Sequence, residues 1–199
     1  MKRLIGIVTA SLAIALIVFG CGHYSPTQGW VTLIDGNTGL DNFNRLGGAN
    51  WHAEDGAIVA DKSTTKGASV LVSKQTFKDF ELYAEFWADH DTNSGLYIRF
   101  TDQSKVSSAS AYEAQIWDKN PNAAMSTGAL LPVASVPPVY KAGGRWNTYE
   151  IRAKGQQITV KLNGVVTVNV EDGKYPSGAI GLQQNAGVIK WRKLLVREL

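Results

Sequence analysis

Between Phe80 and Ala88 the chain alternates without a break. Phe80, Leu82, Ala84, Phe86 and Ala88 are interleaved with Glu81, Tyr83, Glu85 and Trp87. Successive side chains of an extended strand point to opposite faces, so this spacing gives one apolar face and one polar, aromatic face. An apolar face of that length needs a second layer to cover it. The same period returns along the chain. Residues 30–34 end at the turn Asp35-Gly36-Asn37, Trp51 and residues 57–60 flank Glu54-Asp55-Gly56, and residues 69–73 follow. Residues 146–154 and 157–162 meet at Gly155-Gln156. Asn163-Gly164 then leads into residues 165–168; both tolerate positive φ, which marks a tight hairpin. Residues 179–183 and 188–196 close the series, and the adjacent Leu194 and Leu195 predict a bulge. No amphipathic helix of useful length interrupts it. About ten or more short strands with glycine-rich turns predict an all-β antiparallel sandwich.

Two neighbouring stretches carry the candidate site. In Asn93-Ser94-Gly95-Leu96-Tyr97-Ile98-Arg99-Phe100 the alternation puts Leu96, Ile98 and Phe100 on one face and Tyr97 and Arg99 on the other. In Tyr112-Glu113-Ala114-Gln115-Ile116-Trp117-Asp118, Ala114 and Ile116 point inward while Glu113, Gln115 and Trp117 point out. If the two strands share a sheet, an arginine, a glutamate, an amide and two aromatic rings share one surface, suited to a polar, ring-shaped ligand. A sandwich also has a polar outer face with no ligand at all. Large rings left in water weigh toward a binding surface. Residues 104–110, small and polar, read as the loop between the two strands. Residues 121–140, with Pro132, Pro137 and Pro138, are too irregular for a central strand and predict a flap over one end of the polar face.

The chain begins with Lys2 and Arg3, then an uncharged run over residues 4–20, the pattern of a secretory signal. Val18-Phe19-Gly20-Cys21 resembles the bacterial lipoprotein cleavage box, with Phe19 bulkier than usual before the glycine; an uncleaved membrane anchor is the alternative. Cys21 is the only cysteine, so no internal disulfide is possible, and its place behind the apolar run fits lipidation. The organisation expected is therefore a lipoprotein signal peptide over residues 1–20, the lipidated Cys21 and a tether over 21–29, and one domain over 30–199. Removing residues 1–20 takes two bases and no acid, which lowers the net charge from +3 to +1. No basic cluster stands out, which argues against nucleic acid as a partner.

In order and spacing these stretches resemble the 3-keto-disaccharide hydrolase domain family. Besides the two stretches above, the resemblance is carried by Leu33-Ile34-Asp35-Gly36, Trp51 with Glu54-Asp55-Gly56, and Asp79-Phe80-Glu81-Leu82. Trp146-Asn147-Thr148-Tyr149-Glu150-Ile151, Leu162-Asn163-Gly164 and Ile180-Gly181-Leu182-Gln183 complete it. It covers nearly everything from Trp30 to Leu199. The resemblance implies a jelly-roll sandwich of the concanavalin A-like lectin/glucanase type and a secreted protein acting on carbohydrate, in some members by cleaving glycosides oxidised to a ketone at carbon 3. Two positions depart from the family pattern. Asn185 stands where the family often has a histidine, and Arg192-Lys193 stands where an arginine–asparagine pair is common. Loss of the imidazole removes a possible base or metal ligand. The family reading therefore leaves a non-catalytic carbohydrate-binding module, or a structural envelope protein, as alternatives.

Cleavage next to a 3-ketone needs a base for the proton on carbon 2, a stabiliser for the enolate and an acid for the leaving oxygen. Glu113 is the candidate base, Arg99 the stabiliser and Asp118 the acid. A cross-strand Arg99–Glu113 ion pair without chemistry is the competing reading. Trp87 and Trp117 are candidates for stacking on a sugar, with Tyr97, Gln115, Glu85 and Asn185 completing the substrate-binding set. His23, His52 and His90 are scattered and show no zinc-type spacing. Asp89-His90-Asp91-Thr92-Asn93 is rich in oxygen ligands, but Ser94 stands where a calcium loop needs glycine, so a plain turn is expected. No cofactor is expected, with a divalent metal ion left open as the enolate stabiliser.

The expected location is the cell envelope, held to a bacterial membrane by the lipid on Cys21. Gly22 follows, with no aspartate there, which by resemblance to bacterial sorting rules points to an outer membrane where the cell has one. Cys21→Ser should abolish incorporation of labelled fatty acid and leave an unprocessed precursor; equal labelling of both proteins would sink the assignment.

Overall fold

The structure is a computed structural model that describes residues 29–104, 108–137 and 140–199. The expected signal peptide, Cys21 and nearly all of the tether lie outside these residues. Among the described residues there are fourteen strands and three single-turn 3-10 segments. The strands are β1 (Trp30–Asp35), β2 (Phe43–Leu46), β3 (Ala49–Glu54), β4 (Ala57–Ser63), β5 (Ser69–Phe77), β6 (Phe80–Ala88) and β7 (Asn93–Phe100). They continue with β8 (Tyr112–Ile116), β9 (Leu130–Leu131), β10 (Arg145–Lys154), β11 (Gln157–Leu162), β12 (Val165–Glu171), β13 (Gly178–Ala186) and β14 (Ile189–Glu198). All strand pairs are antiparallel, in two sheets. The eight-stranded sheet runs β12-β11-β10-β6-β14-β4-β3, with β1 also pairing β14; the six-stranded sheet runs β2-β5-β13-β7-β8-β9.

The alternation of β6 becomes the centre of the larger sheet. Phe80, Leu82, Ala84, Phe86 and Ala88 are buried, while the four residues between them are half-buried on the outer face. Phe86 lies 5.1 Å from the Tyr149 ring and 5.5 Å from Trp191. Leu96, Ala114, Ile180 and Leu182 of the smaller sheet join the same core. Asn163 and Gly164 both take positive φ, 51° and 80°, and connect β11 to β12 as expected. Asp55 and Gly56 do the same between β3 and β4. These are the left-handed pairs whose twist suits a two-residue hairpin.

Three local readings are corrected. The bulge expected at Leu194–Leu195 sits two residues earlier: β14 slips against β6 between Trp191 and Lys193, so Arg192 and Lys193 both turn outward while Leu194 returns to the core. Within 121–140, the described residues 121–137 and 140 are less a flap than a plug. They supply β9, which pairs with β8, and send Ala129, Leu130 and Val136 into the main core.

The third correction concerns β7. Arg99 has φ 51°, and the register against β13 slips there, with Ala179 opposite Phe100 but Gly181 opposite Tyr97. The extra residue reverses the alternation, so Phe100 joins Tyr97 on the outer face, ring to ring at 5.5 Å, instead of Leu96 and Ile98 in the core. Arg99 is fully buried. Its guanidinium donates to the Lys78 carbonyl (2.8 and 3.0 Å), the Gly155 carbonyl (2.9 Å), the Tyr175 carbonyl (3.2 Å) and Asp79 Oδ1 (3.3 Å). It clasps three separate chain segments at one end of the sandwich. Lysine keeps the charge but not the planar fork that reaches these acceptors. Arg99→Lys should therefore lower unfolding free energy by about 3 kcal/mol or more, read by urea denaturation. An unchanged midpoint would remove the clasp from the account of stability.

Candidate functional site

The outer face of the six-stranded sheet is ordered in cross-strand rows. Gly181 of β13, Tyr97 of β7 and Glu113 of β8 stand opposite one another in one row; Gln183, Gly95 and Gln115 form the next. Residues between the rows, such as Leu96 and Ala114, face the core. Gln183 Nε2 donates to the Tyr97 hydroxyl at 2.7 Å. The Glu113 carboxyl lies directly over Gly95: a Cβ on that glycine would stand 2.3 Å from Glu113 Oε1. Glycine within a strand often marks such a close approach. Gly181 plays a similar part beside Tyr97, where a Cβ would meet the tyrosine Cβ at 3.0 Å. The two glycines leave a bare floor on which the acid, the phenol and the amide converge.

Glu113 is only 3 % exposed, and no cation pairs with it among the described residues. Burial pushes its carboxyl up to about 8, against a smaller downward pull from the Gln183 side chain. Burial, reinforced by Glu113, likewise raises the Tyr97 phenol above its ordinary range. Gln183 Oε1 is buried with no hydrogen-bond partner among the described residues, an acceptor that a ligand hydroxyl could satisfy.

The remaining expected site residues are dispersed. Gln115 is near by, but its Oε1 accepts from the Ile116 N–H at 3.0 Å. Trp117 follows β8, half-buried, its backbone N–H donating to Thr127 Oγ1, and Asn185 is exposed near the end of β13. Arg99, expected beside Glu113, is carried away by the bulge and spends its donors on three backbone carbonyls and on Asp79 Oδ1. Asp118, expected to act as an acid, has its carboxylate occupied as an acceptor. Oδ1 takes the Thr127 hydroxyl (2.6 Å) and the Ala142 N–H (2.9 Å), and Oδ2 takes Ala142 N–H (3.0 Å) and Gly143 N–H (2.9 Å). With both oxygens filled by N–H and hydroxyl donors, the side chain clamps residues 142–143 and Thr127 together.

Glu85 and Trp87 lie on the other sheet, with the whole core between them and Glu113. Burial raises the Glu85 carboxyl, but Arg192 and the Tyr83 hydroxyl outweigh it and hold the group low. The Trp87 ring lies beneath Lys190 Nζ, 5.5 Å away. What the alternation of single stretches missed is Gln183, Gly95 and Gly181, all of which lay within the motifs quoted above. Mid-strand glycine was the available signal. Among the described residues no three His, Cys, Asp or Glu side chains group as metal ligands. The Asp89–Thr92 segment is a turn closed by Asp89, whose Oδ1 accepts from Asp91 N–H and the Thr92 hydroxyl at 2.8 Å.

The buried carboxyl has a thermodynamic signature. In the folded protein Glu113 titrates near 8, whereas an unfolded glutamate titrates near 4.5, so the folded state binds more protons between these values. Stability contributed by the protonated side chain is thus fully present below about pH 4.5 and falls as pH rises toward 8, by an amount on the order of a few kcal/mol. Glu113→Gln should flatten this decline, so that the variant is the more stable protein at pH 9. Urea midpoints at pH 5 and pH 9 measure it; parallel declines for both proteins would contradict the burial argument.

Similarity to known proteins agrees with this fold. Residues 29–197 match the family described as the 3-keto-alpha-glucoside-1,2-lyase-like domain. A solved structure of a candidate glycosyl hydrolase from Parabacteroides distasonis is 25 % identical, with a TM-score of 0.66 over 85 % of this chain and 99 % of that one. A Bacillus subtilis protein with a galectin-like fold is 12 % identical, TM-score 0.65, over 83 % and 93 % of the two chains. The carbohydrate-binding module CBM66 from Bacillus subtilis is 13 % identical, TM-score 0.53, over 85 % and 96 %. Among curated proteins none matches. With its two antiparallel sheets, its glycine-floored outer face and a family match over almost all of the described domain, the chain belongs to the 3-keto-alpha-glucoside-1,2-lyase-like domain family.

Proposed function

We propose that this protein cleaves glycosides already oxidised to a ketone at carbon 3, with Glu113 as the base. The observation that carries the reading is a buried carboxyl, paired with no cation among the described residues, placed on the sheet's outer face beside the Tyr97 hydroxyl and the Gln183 amide. A 3-ketone acidifies the hydrogen on carbon 2. Removal of that proton by the Glu113 carboxylate gives an enolate, and its collapse breaks the bond between carbon 1 and the leaving oxygen as a carbon 1–carbon 2 double bond forms. The proton held by Glu113 passes to the leaving oxygen, and water then adds at carbon 1, giving net hydrolysis. A group titrating near 8 is well matched to both taking and returning a proton near neutral pH. Tyr97 and Gln183 stand in the place first assigned to Arg99, as hydrogen-bonding groups beside the developing charge. Because the carboxyl is 3 % exposed, a sugar reaches it only when the outer face opens.

The same near-closure supports a second reading, a binding module that engages saccharide through the more accessible Trp117 and Asn185. The structural similarity to CBM66 is compatible with it. In either case the protein is proposed to work at the cell envelope, anchored through a lipid on Cys21.

Purified protein incubated with native and 3-keto disaccharides, with product analysis, separates the two. Under the lyase reading only 3-keto substrates turn over, the rate rises with pH toward about 8, and Glu113→Gln lowers turnover by roughly 10²-fold or more. Trp117→Ala should raise KM before it lowers kcat. Saccharide affinity that depends on Trp117, with no turnover of any 3-keto glycoside, would establish the binding module; a fully active Glu113→Gln would displace Glu113 as the base.

A further inference from the structure

On the outer face of the eight-stranded sheet, across the core from Glu113, a cavity of about 430 Å³ opens over two adjacent cross-strand rows. In the first row Thr159, Arg152 and Glu81 are followed by Arg197 and Trp30. The second holds Lys161, Glu150, Tyr83 and Leu195. The rows cross β11, β10, β6, β14 and β1, four inter-strand spacings or about 19 Å, room for more than one sugar ring.

The chemistry of the lining selects its ligand. Trp30, Tyr83 and Leu195 supply apolar surface, and both rings are held in place. The Arg197 guanidinium packs 5.0 Å from the Trp30 ring, and the Tyr83 hydroxyl donates to Glu85 Oε1 at 2.8 Å. The charges that line the cavity are balanced, Arg152 and Lys161 against Glu81 and Glu150, and they are paired: Glu81 lies 3.6 Å from Arg152 and also accepts from Arg197, which stands outside the lining, and Lys161 lies 3.8 Å from Glu150. Balanced pairs give a polyanion or a phosphate little net attraction, yet they fix an array of donors and acceptors beside the rings. A neutral pyranose, with one apolar C–H face and a rim of hydroxyls, complements that combination.

We propose that this cavity is a second saccharide-binding site, which takes a neutral oligosaccharide lying across β11, β10, β6, β14 and β1. It does not depend on what Glu113 does. The two sites face opposite ways, so a chain held here leaves the Glu113 face free, and the site would keep the protein on its polysaccharide while the other face works.

The test is calorimetric titration of the purified protein with maltotetraose and with cellotetraose, with the indole N–H signal of Trp30 followed by NMR. At least one tetrasaccharide should bind and shift that signal. Trp30→Ala should weaken binding roughly tenfold, the worth of one stacked ring. Lys161→Ala, at the half-exposed rim, should weaken it by a smaller factor and keeps the test decisive if Trp30→Ala fails to fold. Glu113→Gln should leave this affinity unchanged, which separates the proposal from the reading of the other face. Absence of binding by both tetrasaccharides, binding unaffected by Lys161→Ala and Trp30→Ala, binding lost in Glu113→Gln, or tighter binding of trigalacturonate than of either neutral probe would each overturn it.

Discussion

A guanidinium taken wholly out of water must have its donors satisfied, and in this protein that demand falls on Arg99. The acceptors come from the β5–β6 turn, the β10–β11 turn and the segment before β13, so one side chain ties together both sheets at one end of the sandwich. The left-handed backbone that turns Arg99 inward also rephases β7. Tyr97 and Phe100, three residues apart, come to share the outer face because of it. The clasp and the turning of Phe100 onto the face that carries Tyr97 are thus two results of a single bulge.

The Glu113 side chain shows the opposite balance. Its carboxyl is buried on a floor of glycine backbone, with an amide and a phenol near it and no counter-charge among the described residues. Desolvation without a paired cation is destabilising for the ionised form. A residue serving stability alone is better apolar at such a place. A carboxyl kept there despite this cost is what a proton-transfer site requires, since the same desolvation that weakens the fold brings the group near neutral titration. The hydrogen-bonded Asp118 is the contrasting case. It too is a carboxylate of the β8 stretch, yet N–H and hydroxyl donors fill its oxygens and its work is to hold residues 142–143.

A two-layer sandwich separates two polar faces by a continuous core, and both faces of this one carry aromatic and ionisable groups. Trp87 and Glu85 join Tyr83 and the paired charges on the larger sheet, where cations lie over the rings of Trp30, Trp87 and Trp146. On the smaller sheet the polar groups are sunken and converge on one carboxyl. The first arrangement suits contact with an extended ligand; the second suits chemistry on a single bond.

Much of this was legible from residue order. The unbroken alternation of β6, the Asn163-Gly164 hairpin and the pairing of the β7 and β8 stretches follow from local rules, because strand period and turn chemistry act between near neighbours. Tyr97 and Glu113 were placed on one face for the same reason. Alternation failed where it was extrapolated through Arg99 and through Arg192, since a bulge changes phase and depends on acceptors far away in the chain. It could not say which sheet a strand enters either: Glu85 and Trp87 have the composition of a sugar site but are carried to the opposite layer. Nor could it bring Gln183 to Tyr97, a hydrogen bond between residues 86 apart. The sequence by itself determined the strands, their faces and the family. Only the tertiary structure decided which faces meet, which carboxyl is desolvated and which arginine is spent on the fold, because those outcomes depend on burial and on partners brought together by packing.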